Sequence, residues 1–166
     1  VMTTPQQGIR EIRINPIVPS ESVLVSTARG LRPRKEEAPD ERDIRTQVDT
    51  CRFCVGNEDK TPPTIAAWPN EQDWQVRVVE NLFPVLSPQQ SGSALNFGLQ
   101  KVIDGYGRHE VVIDHPNHGI SVSEMEIGHI AGFFGVFRDR KKEIYSRDSI
   151  IKYLLVFKNF GAAAGA

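Results

Sequence analysis

The amino-acid sequence contains one long helical pattern, while its other apolar patterns are those of strands. The apolar face of the helical pattern is formed by Ile127, Ile130, Phe134 and Phe137. A basic run from Arg138 to Lys142 lies on the opposite face. Strand and helix patterns do not alternate regularly, as they would in a doubly wound sheet. The order therefore predicts an α+β fold, with a largely antiparallel sheet and one long packing helix.

The predicted strands are short and are separated by long loops. They are Val23–Val25, Trp74–Glu80, His109–Asp114 and a buried run at Ile150–Phe157. Isoleucines around Ile12 indicate an extended edge segment, and residues 34–50 and 86–101 are predicted to be loops. Ser121 and Glu124 have the spacing of a capping box, as do Ser123 and Glu126, and both pairs predict the start of the helix.

Composition places the chain among ordinary globular domains. It has 166 residues, 39% of them apolar and 25% charged, and we expect one domain over 1–166. A net charge of −1 gives no reason to expect a nucleic-acid or anionic-membrane partner. Apolar runs stay well below the roughly 20 residues of a membrane span, and the first residues lack a signal-peptide pattern. A cytoplasmic location is the default expectation.

The two cysteines, Cys51 and Cys54, have the spacing C-x-x-C. Two thiolates at this spacing can bind one tetrahedral metal ion, although a redox pair or two inert buried thiols fit the same pattern. A metal site needs further ligands, and the histidines available are His109, His115, His118 and His129. His118 follows a proline turn after a strand, whereas His129 lies within the predicted helix, where packing or exposure is expected.

Two other motifs are suited to phosphate binding. Arg29 and Arg32 are three residues apart in a basic loop and could clamp a phosphate, although a solvated loop is the simpler interpretation. The segment Phe157–Gly165 follows a predicted strand with asparagine, glycine and alanine, which lets backbone amides approach a ligand. Neither pattern is specific by itself.

The order of these motifs is far more specific than any one of them. From about Arg13 to Ala166 the chain resembles the N-terminal half of the galactose-1-phosphate uridylyltransferase family, of the histidine-triad superfamily. The resemblance rests on Asn15-Pro16, Val23-Leu-Val-Ser-x-x-Arg29-x-x-Arg32-Pro33, Cys51-x-Phe-Cys54-x-Gly-Asn57-Glu58, Thr61-Pro62-Pro63, Val76-Arg-Val-Val-Glu-Asn81-Leu-Phe83-Pro84, His109-Glu-Val-Val-Ile-Asp-His-Pro-Asn-His118 and Val156-Phe-Lys-Asn159-x-Gly161-Ala-Ala-x-Gly165.

The resemblance implies a histidine-triad-like antiparallel half-barrel in each half of a two-domain parent protein. It implies transfer of UMP between UDP-glucose and a hexose 1-phosphate through a covalent nucleotidyl-histidine, which divides one phosphoryl displacement into two. A homodimer is implied as well, since the family arginines contact the nucleotide sugar across the subunit interface.

The resemblance also implies site residues. Three zinc ligands fall on Cys51, Cys54 and His118, while His115 is not the matching position. The fourth ligand and the nucleophilic histidine belong to a His-x-His motif expected just after Ala166, so the chain itself contains no catalytic nucleophile. The residues implied to contact the substrate are Arg29, Arg32, Asn81, Leu82, Asn159 and Gly165.

Two alternatives to uridylyl transfer remain open. The segment from Tyr106 to Ile113 is similar to a family branch that includes adenylyltransferases acting on ADP-glucose, although uridylyl transfer is favoured here. A zinc-stapled binding or scaffold domain without catalysis is the second alternative, since the nucleophile is expected outside the chain.

Overall fold

The computed structural model describes residues 8–31 and 43–159. The predictions for Arg32 and Gly165 lie outside these residues. The strands are β1 (Arg10–Ile14), β2 (Ser22–Ser26), β3 (Thr64–Trp68), β4 (Val76–Glu80), β5 (Ala94–Phe97), β6 (Gln100–Asp104) and β7 (Glu110–Ile113), and the helix is α1 (Ile127–Arg147). Antiparallel strands with one long helix confirm the predicted α+β class. Within the described ranges, no helix is long and apolar enough to cross a membrane.

The described residues fall into two compact units. The first draws on Val1–Pro33 and Glu80–Glu110, and the second on Arg34–Val79 and Val111–Ala166. The first unit contains a four-stranded sheet in the order β2-β1-β6-β5, in which every pairing is antiparallel. The predicted edge position of β1 is wrong, because Ile12 pairs with Leu24 on one side and with Ile103 on the other.

The predicted loop over 86–101 is wrong in its second half, which contains β5 and the start of β6. The two strands form a hairpin in which Phe97 pairs with Gln100 across a turn at Gly98, where φ is +60°. All four residues of β5 are exposed. A strand with no buried face lacks the apolar alternation by which strands are recognised.

The second unit contains a three-stranded sheet in the order β3-β4-β7, with α1 against one face. Val76 and Val78 of the central strand are buried against Phe133 and Val136 of the helix. The opposite face of the sheet has its own apolar cluster, formed by Trp74, Val79 and Ile113. The strands predicted over 23–25, 74–80 and 109–114 are confirmed as β2, β4 and β7.

The predicted apolar face of α1 is right at Phe137, which packs against the core, but wrong at Phe134 and Ile127. Arg140, which belongs to the basic run predicted on the opposite face, is buried as well. Phe133 and Val136 are buried, whereas Phe134 is 61% exposed and Ile127 is 85% exposed. Because phenylalanines occur at 133, 134 and 137, the sequence allows two neighbouring faces. Close packing selects between them at Gly132, where a Cβ atom would lie 2.6 Å from the ring of Trp68.

Two further predictions about this region are corrected. The capping box of Ser121 and Glu124 exists, but it closes the 3-10 turn Val122–Glu124, and α1 begins after Glu126. The strand predicted over 150–157 is absent from the described residues. Tyr153 is 92% exposed and Leu155 is 80% exposed, and neither lies in a pairing with another described segment. A strand needs a partner, which the apolar pattern alone does not provide.

Candidate functional site

The three predicted metal ligands converge in the second unit. The Sγ atom of Cys54 lies 3.5 Å from Nδ1 of His118, and ligand atoms of Cys51, Cys54 and His118 all lie within 4.8 Å of one another. Adjacent ligands of tetrahedral zinc are about 3.6 Å apart, given Zn–S and Zn–N bonds of about 2.3 and 2.1 Å. The donor set and its spacing fit three corners of a zinc site.

A hydrogen-bonded turn positions the two cysteines. The side-chain amide of Asn57 donates to the carbonyl of Cys51 at 2.7 Å and to that of Val48 at 3.2 Å. The backbone N–H of Val55 donates to the carbonyl of Pro116 at 3.2 Å, which joins the cysteine turn to the turn that presents His118. Hydrogen bonds within the protein therefore hold the two ligand-bearing turns next to each other.

Burial raises the pKa of the Cys54 thiol, and the neighbouring Cys51 raises it further. A thiol in this environment keeps its proton at neutral pH unless a cation replaces it. A metal ion supplies that charge, because coordination deprotonates a thiol. The raised pKa of Cys54 argues against an exposed, reactive redox couple, whose thiolates have lowered pKa values.

The segment after the cysteine turn is fixed to the sheet by a buried polar cluster. The indole N–H of Trp74 donates to Glu58 at 2.8 Å, and Arg77 donates to the hydroxyl of Thr61 at 3.1 Å while its guanidinium lies 5.2 Å from the Trp74 ring. Burial pushes the pKa of Glu58 upward, but the bond from Trp74 and the charge of Arg77 help to make the net shift downward. Glu58 is therefore ionised, and it ties the metal-ligand turn to the core.

The far edge of the His118 ring faces a carboxylate. Oδ2 of Asp43 lies 3.4 Å from Nε2 of His118. The guanidinium and the backbone N–H of Arg45 both donate to the same carboxylate, and they hold the pKa of Asp43 well below its usual range. Sequence reasoning missed Asp43, since it lies in a charged segment with no motif of its own.

The remaining histidines of the second unit are packed elsewhere. The rings of His115 and His129 stack with centroids 4.7 Å apart, and His129 also meets the ring of Trp68 edge-on at 6.1 Å. Nε2 of His129 lies 2.6 Å from the carbonyl oxygen of Asp114, to which it donates. These contacts agree with the expected packing role of His129, and His115 is not in the ligand cluster.

In the first unit, the structure places Asn81 beside His109. The carbonyl of His109 accepts from the backbone N–H of Asn81 at 2.9 Å, and the Asn81 amide nitrogen lies 3.3 Å from Nε2 of the imidazole. The N–H of Val85 lies 3.1 Å from Nδ1 of the same ring. A neutral imidazole has one acceptor nitrogen, so it can accept from only one of these two donors.

Arg29 is the other predicted substrate residue in this unit. It is half-buried in the 3-10 turn Thr27–Leu31. Burial, and secondarily the charge of Arg29, lower the pKa of His109 and keep that ring neutral at physiological pH. The sequence indicated His109 only as one of four available histidines. Its contacts with Asn81 join residues 28 positions apart and depend on strand pairing, which no local motif predicts.

Two predicted substrate residues form no side-chain hydrogen bond or ion pair with another described residue. Leu82 is half-buried next to Asn81, and Asn159 is exposed in the second unit. Lys158, which precedes Asn159, forms an ion pair with Asp114. The structure therefore brings Arg29, Asn81 and Leu82 into one unit and places Asn159 in the unit of the metal ligands.

Comparison with known proteins decides the family. The protein-family model of the galactose-1-phosphate uridyl transferase N-terminal domain matches residues 2–166 of the sequence. The chain belongs to this family. It is 33% identical over 159 residues to ADP-glucose phosphorylase of Arabidopsis thaliana, covering 94% of the chain and 45% of the relative. It is 31% identical over 169 residues to galactose-1-phosphate uridylyltransferase of Cryptococcus neoformans, covering 92% of the chain and 41% of the relative.

A solved family structure has the same fold. The crystal structure of an ADP-glucose phosphorylase from Arabidopsis thaliana with bound ADP-glucose matches with a TM-score of 0.59 and 34% identity, covering 95% of this chain and 44% of that one. The chain thus spans less than half the length of the curated relatives it matches.

Proposed function

We propose that the protein containing this chain is a nucleotidyltransferase that moves a nucleoside monophosphate from a nucleotide sugar to a phosphorylated acceptor. Family membership over residues 2–166 is the observation that supports this most directly. The arrangement around Asn81 is compatible with it, because the half-buried imidazole of His109 can accept from only one of its two neighbouring donors, and the other donor is available to a ligand or to water. Transfer through a nucleotidyl-histidine, as the family resemblance implies, is part of the proposal.

We propose AMP as the first candidate for the transferred group, with ADP-glucose as its donor. The family resemblance favoured UMP, and the comparisons do not confirm that preference. The 34% identical structure with bound ADP-glucose and the 33% identical ADP-glucose phosphorylase support AMP. UMP, moved between UDP-glucose and a hexose 1-phosphate, is the second candidate, supported by the 31% identical uridylyltransferase.

The proposed contacts to the nucleotide sugar come from the family resemblance. An arginine suits the diphosphate because a guanidinium forms paired, charge-assisted hydrogen bonds to phosphate oxygens. Leu82 offers an apolar side chain to a base, and the amides of Asn81 and Asn159 offer donors and acceptors. A homodimer and a cytoplasmic location remain part of the proposal. The contact residues proposed are Arg29, Arg32, Asn81, Leu82, Asn159 and Gly165.

We propose zinc as the ion of the Cys51, Cys54 and His118 cluster, in a structural role. Sulfur and nitrogen ligands at tetrahedral spacing favour zinc over harder cations, which prefer oxygen. Elemental analysis of the full gene product is expected to give about one zinc per chain at this site. Cys51→Ser should lower that value, whereas serine at an exposed residue such as Thr50 should leave it unchanged.

A turnover assay on the full gene product tests the function. ADP-glucose and UDP-glucose are supplied separately, each with inorganic phosphate or a hexose 1-phosphate as acceptor, and product nucleotides are separated by chromatography. A higher kcat/KM with ADP-glucose supports adenylyl transfer, and a higher value with UDP-glucose supports the second candidate. Zinc binding without turnover of either donor would instead support the non-catalytic, zinc-stapled alternative.

Variants tie that activity to the described residues. Asn81→Ala should raise KM for the donor, because its amide is proposed to contact the nucleotide. Asn96→Ala is the matched control, since Asn96 is exposed on β5 of the same unit. Equal kinetics for the two variants would remove Asn81 from the proposed site.

A further inference from the structure

The two nitrogens of the His118 ring face different groups. Nδ1 lies 3.5 Å from the sulfur of Cys54, within the candidate metal centre. Nε2, on the other edge of the ring, lies 3.4 Å from Oδ2 of Asp43. The ring therefore lies between a pair of thiols and a carboxylate, with one nitrogen toward each.

We propose that Asp43 is a positioning residue for the metal centre, which accepts a hydrogen bond from Nε2–H of His118 and so leaves Nδ1 unprotonated as the ligand atom. The inference rests on the zinc site proposed above. A neutral imidazole has one proton to place on either nitrogen, and only the unprotonated nitrogen binds a metal. A carboxylate at Nε2 fixes the tautomer and the ring angle before the ion arrives.

Asp43 is held in place from two directions. Arg45 forms a fork on its carboxylate, donating from Nε to Oδ1 at 2.9 Å and from Nη2 to Oδ2 at 2.5 Å. The backbone following Asp43 is paired with the backbone at His118: the N–H of His118 donates to the carbonyl of Thr46 at 2.9 Å. The carboxylate therefore belongs to the segment whose backbone is hydrogen-bonded to the backbone of His118.

Gly119 makes this close approach possible. Its N–H donates to the carbonyl of Arg45 at 3.0 Å. A Cβ atom on Gly119 would lie 2.5 Å from the carbonyl oxygen of Asp43 and 3.0 Å from Cα of Ile44. Both neighbours are backbone atoms, so a side chain at 119 would push the Asp43 segment away from His118. The position of the Asp43 carboxylate beside His118 therefore depends on the missing side chain at Gly119.

Asp43 is not placed as a direct ligand. Its carboxylate contacts the ring edge opposite the Cys54 sulfur, and it is not a member of the three-residue ligand cluster. Replacing Asp43 is therefore predicted to change the metal affinity and the orientation of the His118 ring, and to leave the set of metal ligands unchanged. Loss of a carboxylate that orients a metal-binding histidine typically weakens metal affinity by about 10- to 100-fold.

The test compares zinc affinities of the full gene product and its variants by competition with a chromogenic chelator. Asp43→Ala is expected to bind zinc about 10- to 100-fold more weakly, and the nearly isosteric Asp43→Asn should fall between it and the unmodified protein. Asp139→Asn is the control, because Asp139 is likewise an aspartate paired with a neighbouring arginine, but it is exposed and lies on α1, outside the ligand cluster. Circular dichroism checks that each variant is folded.

Cobalt substitution and histidine NMR separate the possible outcomes. Under excess cobalt, Asp43→Ala should keep the thiolate-to-cobalt absorption and the tetrahedral bands of the unmodified protein. A changed coordination number would show Asp43 to be a ligand and would overturn the proposal. In the zinc-loaded unmodified protein, the His118 ring should be protonated at Nε2. Metal bound at Nε2, or unchanged zinc affinity in both Asp43 variants, would also overturn it. If the unmodified protein binds no zinc, the zinc site itself fails.

Discussion

The packing of α1 on β3 predicts opposite effects for two glycines of the same helix. Gly132 lies against Trp68, where an added Cβ would be 2.6 Å from three ring atoms, whereas Gly135 has no atom within 4 Å of the same position. Both residues are interior to α1. Gly132→Ala and Gly135→Ala therefore gain the same stabilisation from helix propensity. Only Gly132→Ala introduces a steric overlap, which is with Trp68.

The magnitudes follow from these two terms. Replacing a helix-interior glycine by alanine stabilises by roughly 0.5–1 kcal/mol, which is the full effect expected for Gly135→Ala. Forcing an extra carbon into a packed interface costs about 1–3 kcal/mol, which applies at Gly132 alone. The propensity term cancels between the variants, so their free energies of unfolding should differ by about 1–3 kcal/mol, with Gly132→Ala the less stable.

Urea unfolding of the zinc-saturated protein measures this difference. With an m-value of about 2 kcal/mol per M, the Gly135→Ala midpoint should rise by roughly 0.25–0.5 M, and the Gly132→Ala midpoint should lie about 0.5–1.5 M below it. The slopes should not change. If both variants shift upward equally, Gly132 does not lie against Trp68, and the face that α1 presents to the sheet is misassigned.

Three further predictions concern the polar contacts. His109→Gln should weaken nucleotide-sugar binding by about 5- to 30-fold in a titration, because the ring that orients Asn81 is lost. Because the pKa of His109 is lowered in the folded state, the unfolded state binds more protons below pH about 6.5. As the pH is lowered below that value, the free energy of unfolding should decrease by at most about 1.4 kcal/mol per pH unit through this residue. The decrease should be steeper than in His109→Gln, and equal slopes for the two proteins would contradict the prediction. Trp74→Phe should cost about 1–3 kcal/mol in urea unfolding, since the ionised Glu58 loses its indole donor; an unchanged midpoint would show that this bond is not formed.

The sequence was most informative where short motifs bring ligands together. The C-x-x-C spacing allowed a metal site, and the family resemblance implied Cys51, Cys54 and His118 as ligands, whose ligand atoms the structure places within 4.8 Å of one another. Local geometry determines such a site, because each motif presents its side chains from a tight turn. The strands β2, β4 and β7 were predictable for a similar reason, since their β-branched runs indicate strands directly.

Contacts between distant segments were not predictable. Asp43 meets His118 across 75 residues, and His109 meets Asn81 only because their strands pair. The apolar pattern of α1 allows two faces, and packing against Trp68 selects the one that the pattern did not favour. The β5–β6 hairpin was missed because β5 is exposed on both faces, and periodicity reports burial.

Intact-mass measurement of the full gene product tests nucleotidyl transfer most directly. The protein is mixed with ADP-glucose or UDP-glucose, with the acceptor omitted, and is then denatured without acid, since phosphoramidate bonds are acid-labile. We predict a mass increase of one nucleoside monophosphate per chain, with AMP from ADP-glucose in the greater yield, and its removal when the phosphorylated acceptor is added. An unmodified mass with both donors, in zinc-loaded and folded protein, would contradict the proposed transfer.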